Sequence, residues 1–186
     1  MCHTLLQDPK LYVLLSHIDE EQAAEVRSAG CGCGGALHSA RYPRKPRGTP
    51  PRLPPSYDSR HSFCCARCRR RTTPVSVRYL GRRIYLAAVV VLSCAMRAGV
   101  THKRAKQLTL MLNVPLRTLE RWRCWWLGEF VHTPFWRGAC SVFMPPVAAD
   151  LLPASLLSRF AGDERATPLV QCLSFLSPLS TLSKGR

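Results

Sequence analysis

The chain has 186 residues and carries 27 Lys or Arg against 11 Asp or Glu, a formal net charge of +16. That length fits one ordinary domain, or two very small ones with tails, and excludes a barrel of about 250 residues. Hydrophobic residues make up 46%, which argues against wholesale disorder, and the cationic balance favours a polyanionic partner over a small neutral metabolite.

The charge is local. Residues 1–30 are net −3, residues 31–83 are net +12 with Asp58 the one acid, residues 84–144 are net +6 and the remainder is +1. Of the 27 cations, 22 are Arg, whose planar fork matches phosphate and guanine edges in a way Lys cannot. The start, Met1-Cys2-His3, has no cationic segment ahead of an apolar stretch, so no secretory signal is expected. A cytoplasmic, nucleoid-associated location follows as the expectation. Ten cysteines in such a setting point to reduced thiols or metal rather than a disulfide framework.

Asp8-Pro9 predicts a helix start, with an acid at the cap and Pro at the first helical position. Leu11, Leu14, Leu15 and Ile18 follow at helical spacing, and Ser28-Ala29-Gly30 ends the segment. From Cys31 to about Leu80 the texture changes to scattered Gly and Pro, and helix is nearly excluded between 42 and 56. Short extended pieces are predicted at Leu37–Tyr42, Ser62–Cys64 and Val75–Tyr79. A segment this poor in apolar residues needs a staple.

Two close thiol pairs can supply it. Cys31-Gly32-Cys33 and Cys65-Ala66-Arg67-Cys68 bracket the loop-rich stretch, the pattern of a structural Zn²⁺ site in which thiolates from two tight turns surround one tetrahedral ion. Zinc binding would supply folding free energy that a Pro-rich segment cannot draw from a core. The first pair is spaced C-x-C rather than C-x-x-C, with Gly30 where the outer thiol would stand. A distorted turn using Cys31, recruitment of His38, His61 or Cys64, a lost site, and redox chemistry therefore all stay open.

Gly81 opens a helical stretch in which Tyr85, Val89, Leu92 and Met96 share a face and Gly99 closes it. The apolar run from Ile84 to Met96 is too short for a membrane span of about 20 residues and reads as a buried helix. Thr101 caps a second helix through Leu108, Met111 and Leu112. Asn113-Val114-Pro115 is a turn, and a third helix runs from Leu116 to about Phe130. Residues 107–122 have helix-turn-helix spacing: Leu108, Leu112, Val114, Leu119 and Trp122 pack the helices, and Asn113 falls where a left-handed residue is wanted. Arg117, Thr118, Arg121 and Arg123 then lie on or near an exposed face that can enter a major groove. Thr109 stands where a small Ala is usual, and Pro115 replaces a capping Ser or Thr. The plain alternative is a helical hairpin with solvated arginines. All four tryptophans, Trp122, Trp125, Trp126 and Trp136, fall in or after this segment and suit a core or an interface. Pro153–Phe160 reads as one short helix, and Ser174–Arg186 as a loose tail.

These residues together resemble a family of small bacterial, insertion-sequence-associated (transposase-like) proteins. The resemblance is carried by Cys33-Gly34-Gly35, Leu37-His38, the run Tyr42–Gly48, Phe63-Cys64-Cys65, the run Cys68–Pro74, the run Ser76–Arg83 and the segment Thr118–Trp126, and it spans about residues 30–160. It implies a zinc-ribbon-like module ahead of a helix-turn-helix and a role in recognising element DNA.

The expected architecture is mostly α with a small zinc-ribbon-like β module and a helix-turn-helix. Its parts are an acidic helix at 1–30, a basic cysteine module at 31–80, a helix-turn-helix domain at 81–130 and a partly loose extension at 131–186. The expected function is sequence-specific or semi-specific binding of duplex DNA. Arg69, Arg70, Arg71, Arg82 and Arg83 neutralise phosphates, Arg117, Thr118 and Arg121 supply preference with Arg123 beside them, and Cys31, Cys33, Cys65 and Cys68 hold Zn²⁺. A transposase or RNA is a further candidate partner. The rival reading is a non-catalytic protein- or RNA-interaction module built on the Trp cluster, or a degenerate relic. Intrinsic catalysis has little support: strand transfer needs several converging carboxylates, five of the eleven acids lie in the N-terminal helix, and Tyr79 and Tyr85, which have Arg neighbours, are of a residue type that is commonly just packed.

Overall fold

The computed structural model describes residues 2–47, 53–80, 85–97, 106, 109–110 and 112–181. Helix α1 (Cys2–Leu6) leads into the long helix α2 (Pro9–Ala29). The predicted start holds: the Asp8 side chain accepts from the Lys10 N–H at 2.9 Å, with Pro9 at the first turn. Gly30, at φ +72°, ends the helix by donating its N–H to the Arg27 carbonyl, a conformation that glycine adopts without penalty. The buried face is Leu11, Tyr12, Leu15, Ser16, Asp19 and Ala23. It is rotated from the apolar spacing read in the sequence: Leu14 is 42% exposed and Ile18 half-buried. The rotation buries Asp19 in place of Leu14 because Asp19 has polar partners inside.

Strands β1 (Leu37–Ser39), β4 (Phe63–Cys65) and β5 (Arg71–Thr72) form an antiparallel sheet in the order β1-β4-β5, and β2 (Tyr42–Pro43) pairs with β3 (Ser59–Arg60). The extended stretch expected at Val75–Tyr79 yields only the single bridge Tyr79↔Leu86. The three-stranded sheet shares a very small cluster with α2: Ala23, Leu37, Phe63 and Cys65, flanked by Val26, Cys31 and Cys33.

The main core is elsewhere. Helix α3 (Ala87–Arg97) is the apolar run read as a buried helix, and its residues 87–94 are all buried. It is apolar all round because it is covered all round: α1, α4 (Leu116–Leu127), α6 (Ala154–Leu157) and α7 (Thr167–Leu176) all pack on it. Helix α5 (Pro134–Ala139) is capped by the Thr133 hydroxyl accepting from the Trp136 N–H at 3.1 Å. Tyr85, expected inside a helix, instead precedes it in a parallel bridge with Arg47. No described helix is long and apolar enough to cross a membrane.

One buried cluster takes residues from Leu5 to Leu179, so each of the four segments read from sequence contributes to a single core except where the cysteine module has its own. The C-terminal segment corrects the expectation of a loose tail as far as Thr181. Leu169, Cys172, Leu173 and Leu176 are buried on α7 at helical spacing, and the 3-10 turn Ser177–Ser180 closes onto the basic segment. There Arg60 donates to the Ser180 carbonyl at 2.9 Å, to the Ser180 hydroxyl at 3.0 Å and to the Pro74 carbonyl at 3.2 Å.

The α2 helix is tied to the chain after the cysteine module by a buried ion pair. Asp19 Oδ2 accepts from Arg78 Nε at 2.6 Å and from the Ser76 hydroxyl at 2.6 Å, and Oδ1 accepts from the Val77 N–H at 2.7 Å. Arg78 also donates to the Ser56 carbonyl at 2.8 Å, and its guanidinium lies 4.9 Å from the Tyr57 ring and 5.3 Å from that of Tyr79. Three tyrosine hydroxyls thread the same region: Tyr12 donates to the Leu6 carbonyl, Tyr57 to that of Tyr12, and Tyr79 to that of Tyr57. Removing one partner of such a pair strands the other charge out of water. Asp19→Ala is therefore expected to cost about 3–5 kcal/mol, whereas Asp19→Leu with Arg78→Leu recovers part of the loss; urea unfolding of the three proteins checks the order.

Candidate metal centre and basic surfaces

Register brings the two thiol pairs together. Leu37 of β1 pairs with Cys65 of β4, and His38 with Cys64, so the turn before β1 and the turn after β4 lie at one end of the sheet. In the first turn the Gly34 N–H donates to the Cys31 carbonyl at 2.8 Å and the Cys31 N–H to the Gly35 carbonyl at 3.2 Å, with Gly34 at φ +75°. In the second, which is the β4–β5 hairpin loop, the Cys65 N–H donates to the Arg70 carbonyl at 3.0 Å and Arg69 takes φ +61°. Gly35 lets the turns meet: a Cβ there would stand 2.6 Å from Cys65 Sγ and 2.8 Å from the Arg67 Cβ. Arg67 crosses between the turns and donates to the Cys33 carbonyl at 3.1 Å.

The sulfurs of Cys31, Cys33, Cys65 and Cys68 all lie within 4.8 Å of one another. Cys31 and Cys68 are 3.6 Å apart, and Cys33 and Cys65 are 3.5 Å apart. A tetrahedron of four thiolates at about 2.3 Å from Zn²⁺ has edges of about 3.8 Å, so these positions fit a tetrahedral ion with shifts of an ångström or less. The C-x-C spacing is no obstacle: the turn closed by the Gly34 N–H on the Cys31 carbonyl brings both sulfurs of the first pair into the cluster. Cys64 points away, its thiol directed to the Arg69 carbonyl at 3.5 Å, and neither it nor His38 or His61 belongs to the cluster.

The thiols are unequal. The backbone N–H of Cys68 donates to Cys65 Sγ at 3.4 Å, and this bond, with others from Arg67, Cys33 and Cys68, outweighs burial and holds the Cys65 thiol down at about 6. At Cys68 the Arg70 N–H favours the thiolate, but the neighbouring sulfurs of Cys33, Cys31 and Cys65 together push it up to about 12. Hydrogen bonding thus favours the thiolate at Cys65 while the crowded sulfurs favour the thiol at Cys68, and a doubly charged soft-ligand cation would relieve that crowding by displacing protons.

The other residues read from the sequence fall into three places. Arg69, Arg70 and Arg71, with Arg67, are exposed on and beside the second cysteine turn. Arg82 and Arg83 lie outside the described residues. On α4, Arg117 and Arg121 are exposed and Arg123 is half-buried, but Thr118 is buried at 7% exposure. Thr118 thus joins Leu119, Trp122 and Trp126 on the inner face, the reverse of the expected outward position: with Arg117 and Arg121 outward, the position next to Arg117 turns toward α3. Asn113 takes φ +48° as the turn requires, and Leu112, Val114, Leu119 and Trp122 are buried as expected, while Leu108 lies outside the described residues. Trp122, Trp126 and Trp136 are buried and Trp125 half-buried; Trp125, Trp126 and Trp136 surround Phe130 at centroid distances of 4.7–5.3 Å, and Trp122 packs on Tyr85. Tyr79 is no ready nucleophile: its hydroxyl is donated to a carbonyl, and burial pushes it up to about 12.

Gly34-Gly35 after the first thiol pair is legible in the sequence as glycine that permits a close turn, and Gly35 is the point of contact; sequence reasoning missed Arg67 as the strap, whose only signal was proximity to the thiol pairs. Comparison with protein-family models, with curated proteins and with solved structures returned no match for this chain.

Zinc competes with protons here, so its apparent affinity falls as pH falls. The Cys68 proton must leave at any pH below about 12, and the Cys65 proton joins the competition only below about 6. A competitive-chelator titration from pH 5 to 8 is expected to show the decline steepening through about pH 6; Gly35→Ala is expected to weaken binding throughout by displacing Cys65.

Proposed function

We propose that the chain is a zinc-stapled DNA-binding protein of mobile-element origin. In this reading residues 107–122 act as a helix-turn-helix and α4 is laid against duplex DNA. The observation that carries it is the two-sidedness of α4. Its inner face of Thr118, Leu119, Trp122 and Trp126 is buried, and its outer face offers Arg117 and Arg121 one helical turn apart. Two guanidiniums so placed can reach phosphates or fork onto guanine edges. The left-handed Asn113 just ahead of the helix supports a sharp turn at the required place.

Zn²⁺ held by Cys31, Cys33, Cys65 and Cys68 would organise a ribbon-like module whose own apolar cluster is only a few residues. When bound it would supply folding free energy and no chemistry of its own. Arg69, Arg70 and Arg71 on that module, together with Arg82 and Arg83, would add phosphate contacts. The mobile-element assignment, and with it the nucleoid location and a transposase as companion, rests on the sequence motifs alone. The rival protein-interaction reading loses its proposed contact, since three of the four tryptophans are buried among aromatic partners.

Duplex binding measured by fluorescence anisotropy at several salt concentrations tests the reading. Six phosphate contacts give a log–log slope of about −5, and Arg117→Ala with Arg121→Ala is expected to lower affinity at least tenfold with the unfolding midpoint unchanged. A flat salt response, or full affinity in the double variant, contradicts it.

A further inference from the structure

One basic segment outside the cysteine turns and α4 has a fixed place. Residues Tyr42-Pro43-Arg44-Lys45-Pro46-Arg47 are pinned at three points. Tyr42 and Pro43 pair with Arg60 and Ser59, the Arg44 N–H donates to the Asp58 carbonyl at 2.6 Å, and Arg47 bridges in parallel to Tyr85. Pro43 and Pro46 fix φ along the track. The Arg44 guanidinium lies 5.3 Å from the centroids of both Tyr42 and Tyr79 and is half-buried, so it serves as a stacking anchor. Lys45 and Arg47 are exposed, and among the described residues neither is in an ion pair. Asp58, the one acid of residues 31–83, meets the segment only through its backbone carbonyl, at the Arg44 N–H.

The far end of this segment is linked to α4 through Tyr85. The bridge sets the Arg47 backbone about 5 Å from that of Tyr85, and the Tyr85 ring packs edge-on against Trp122 at 4.8 Å. Trp122 lies on the buried face of α4, and its neighbour in sequence, Arg121, is exposed. A helix entering a groove is flanked by phosphate rails, and contacts to them fix its register without reading sequence. A stiff, exposed pair of cations tied to such a helix through one aromatic contact can take that task.

We propose that Lys45 and Arg47 form a phosphate-clamping arm beside α4, so that helix and arm grip duplex DNA together. The proposal rests on the DNA-binding reading given above. Two lost phosphate contacts reduce the salt slope by about 1.8. Lys45→Gln with Arg47→Gln is therefore expected to flatten the slope by that amount, equally on unrelated duplex sequences, with zinc content and unfolding midpoint held. Arg47→Gln alone is expected to lose about 0.9 of slope, and Arg47→Lys to retain it, which separates lost charge from disturbed folding. An unchanged slope in the double variant, while the unmodified chain binds duplex and the Arg117/Arg121 variant does not, overturns the arm and leaves the reading standing. Absence of duplex binding by the unmodified chain overturns both. Tighter, equally arm-dependent binding of a matched single-stranded RNA overturns the commitment to a duplex.

Discussion

A carboxylate and a guanidinium taken out of water hold this fold in register. Asp19 fills its two oxygens with donors from Ser76, Val77 and Arg78, so the chain leaving the cysteine module is gripped along three consecutive residues by one side chain of α2. A buried pair of this kind adds little net stability over an apolar substitute, but it tolerates no other register, because any slip leaves a charge unpaired. The grip fixes where α2 lies against the helical core, and α2 in turn carries the cysteine module on its later turns through Ala23 and Val26. The Arg60–Ser180 bonds add a second clasp, drawing the C-terminal turn onto the same basic segment.

The cysteine module has a different economy. Its sheet strands are two or three residues long and its apolar cluster is a handful of side chains, too little to fold a Pro-rich stretch unaided. The geometry answers with four sulfurs at one end of the sheet, brought close by a glycine whose missing Cβ leaves room for a thiol. In the helical part, stability comes from ordinary burial around α3.

Local signals were the ones legible in the sequence. Asp8-Pro9 and Gly30 marked both ends of α2, the thiol spacing marked the cluster, and Asn113 marked its turn, since each effect is exerted within a few residues. The apolar run before Met96 announced a buried helix by composition alone. What the sequence concealed was long-range pairing. Asp19 looks like one member of the run Asp19-Glu20-Glu21, and Arg78 like one more cation in a basic block; only their meeting across 59 positions makes them core residues. Ser180 in a Ser/Leu-rich end gave no hint of the arginine it accepts from. Thr118 was misplaced for a simpler reason: its polarity suggested solvent, while the helical period set by Leu119, Trp122 and Trp126 turns it inward. Leu14 erred the other way, its apolarity outbid by a carboxylate with three donors waiting.

Two surfaces then carry the functional reading, the outer face of α4 and the cationic stretches that border the folded core, and both are cationic in a chain whose acids gather on α2. Cys124, exposed on α4 one turn beyond Arg121 and Glu120, offers the most direct view of what that face meets. A photo-crosslinking side chain placed at position 124 of the zinc-loaded protein is expected to attach to bases of a bound duplex, while the same group at the exposed Val13 of α2 attaches to none. Equal crosslinking from both positions, or attachment from position 13 alone, would contradict the account.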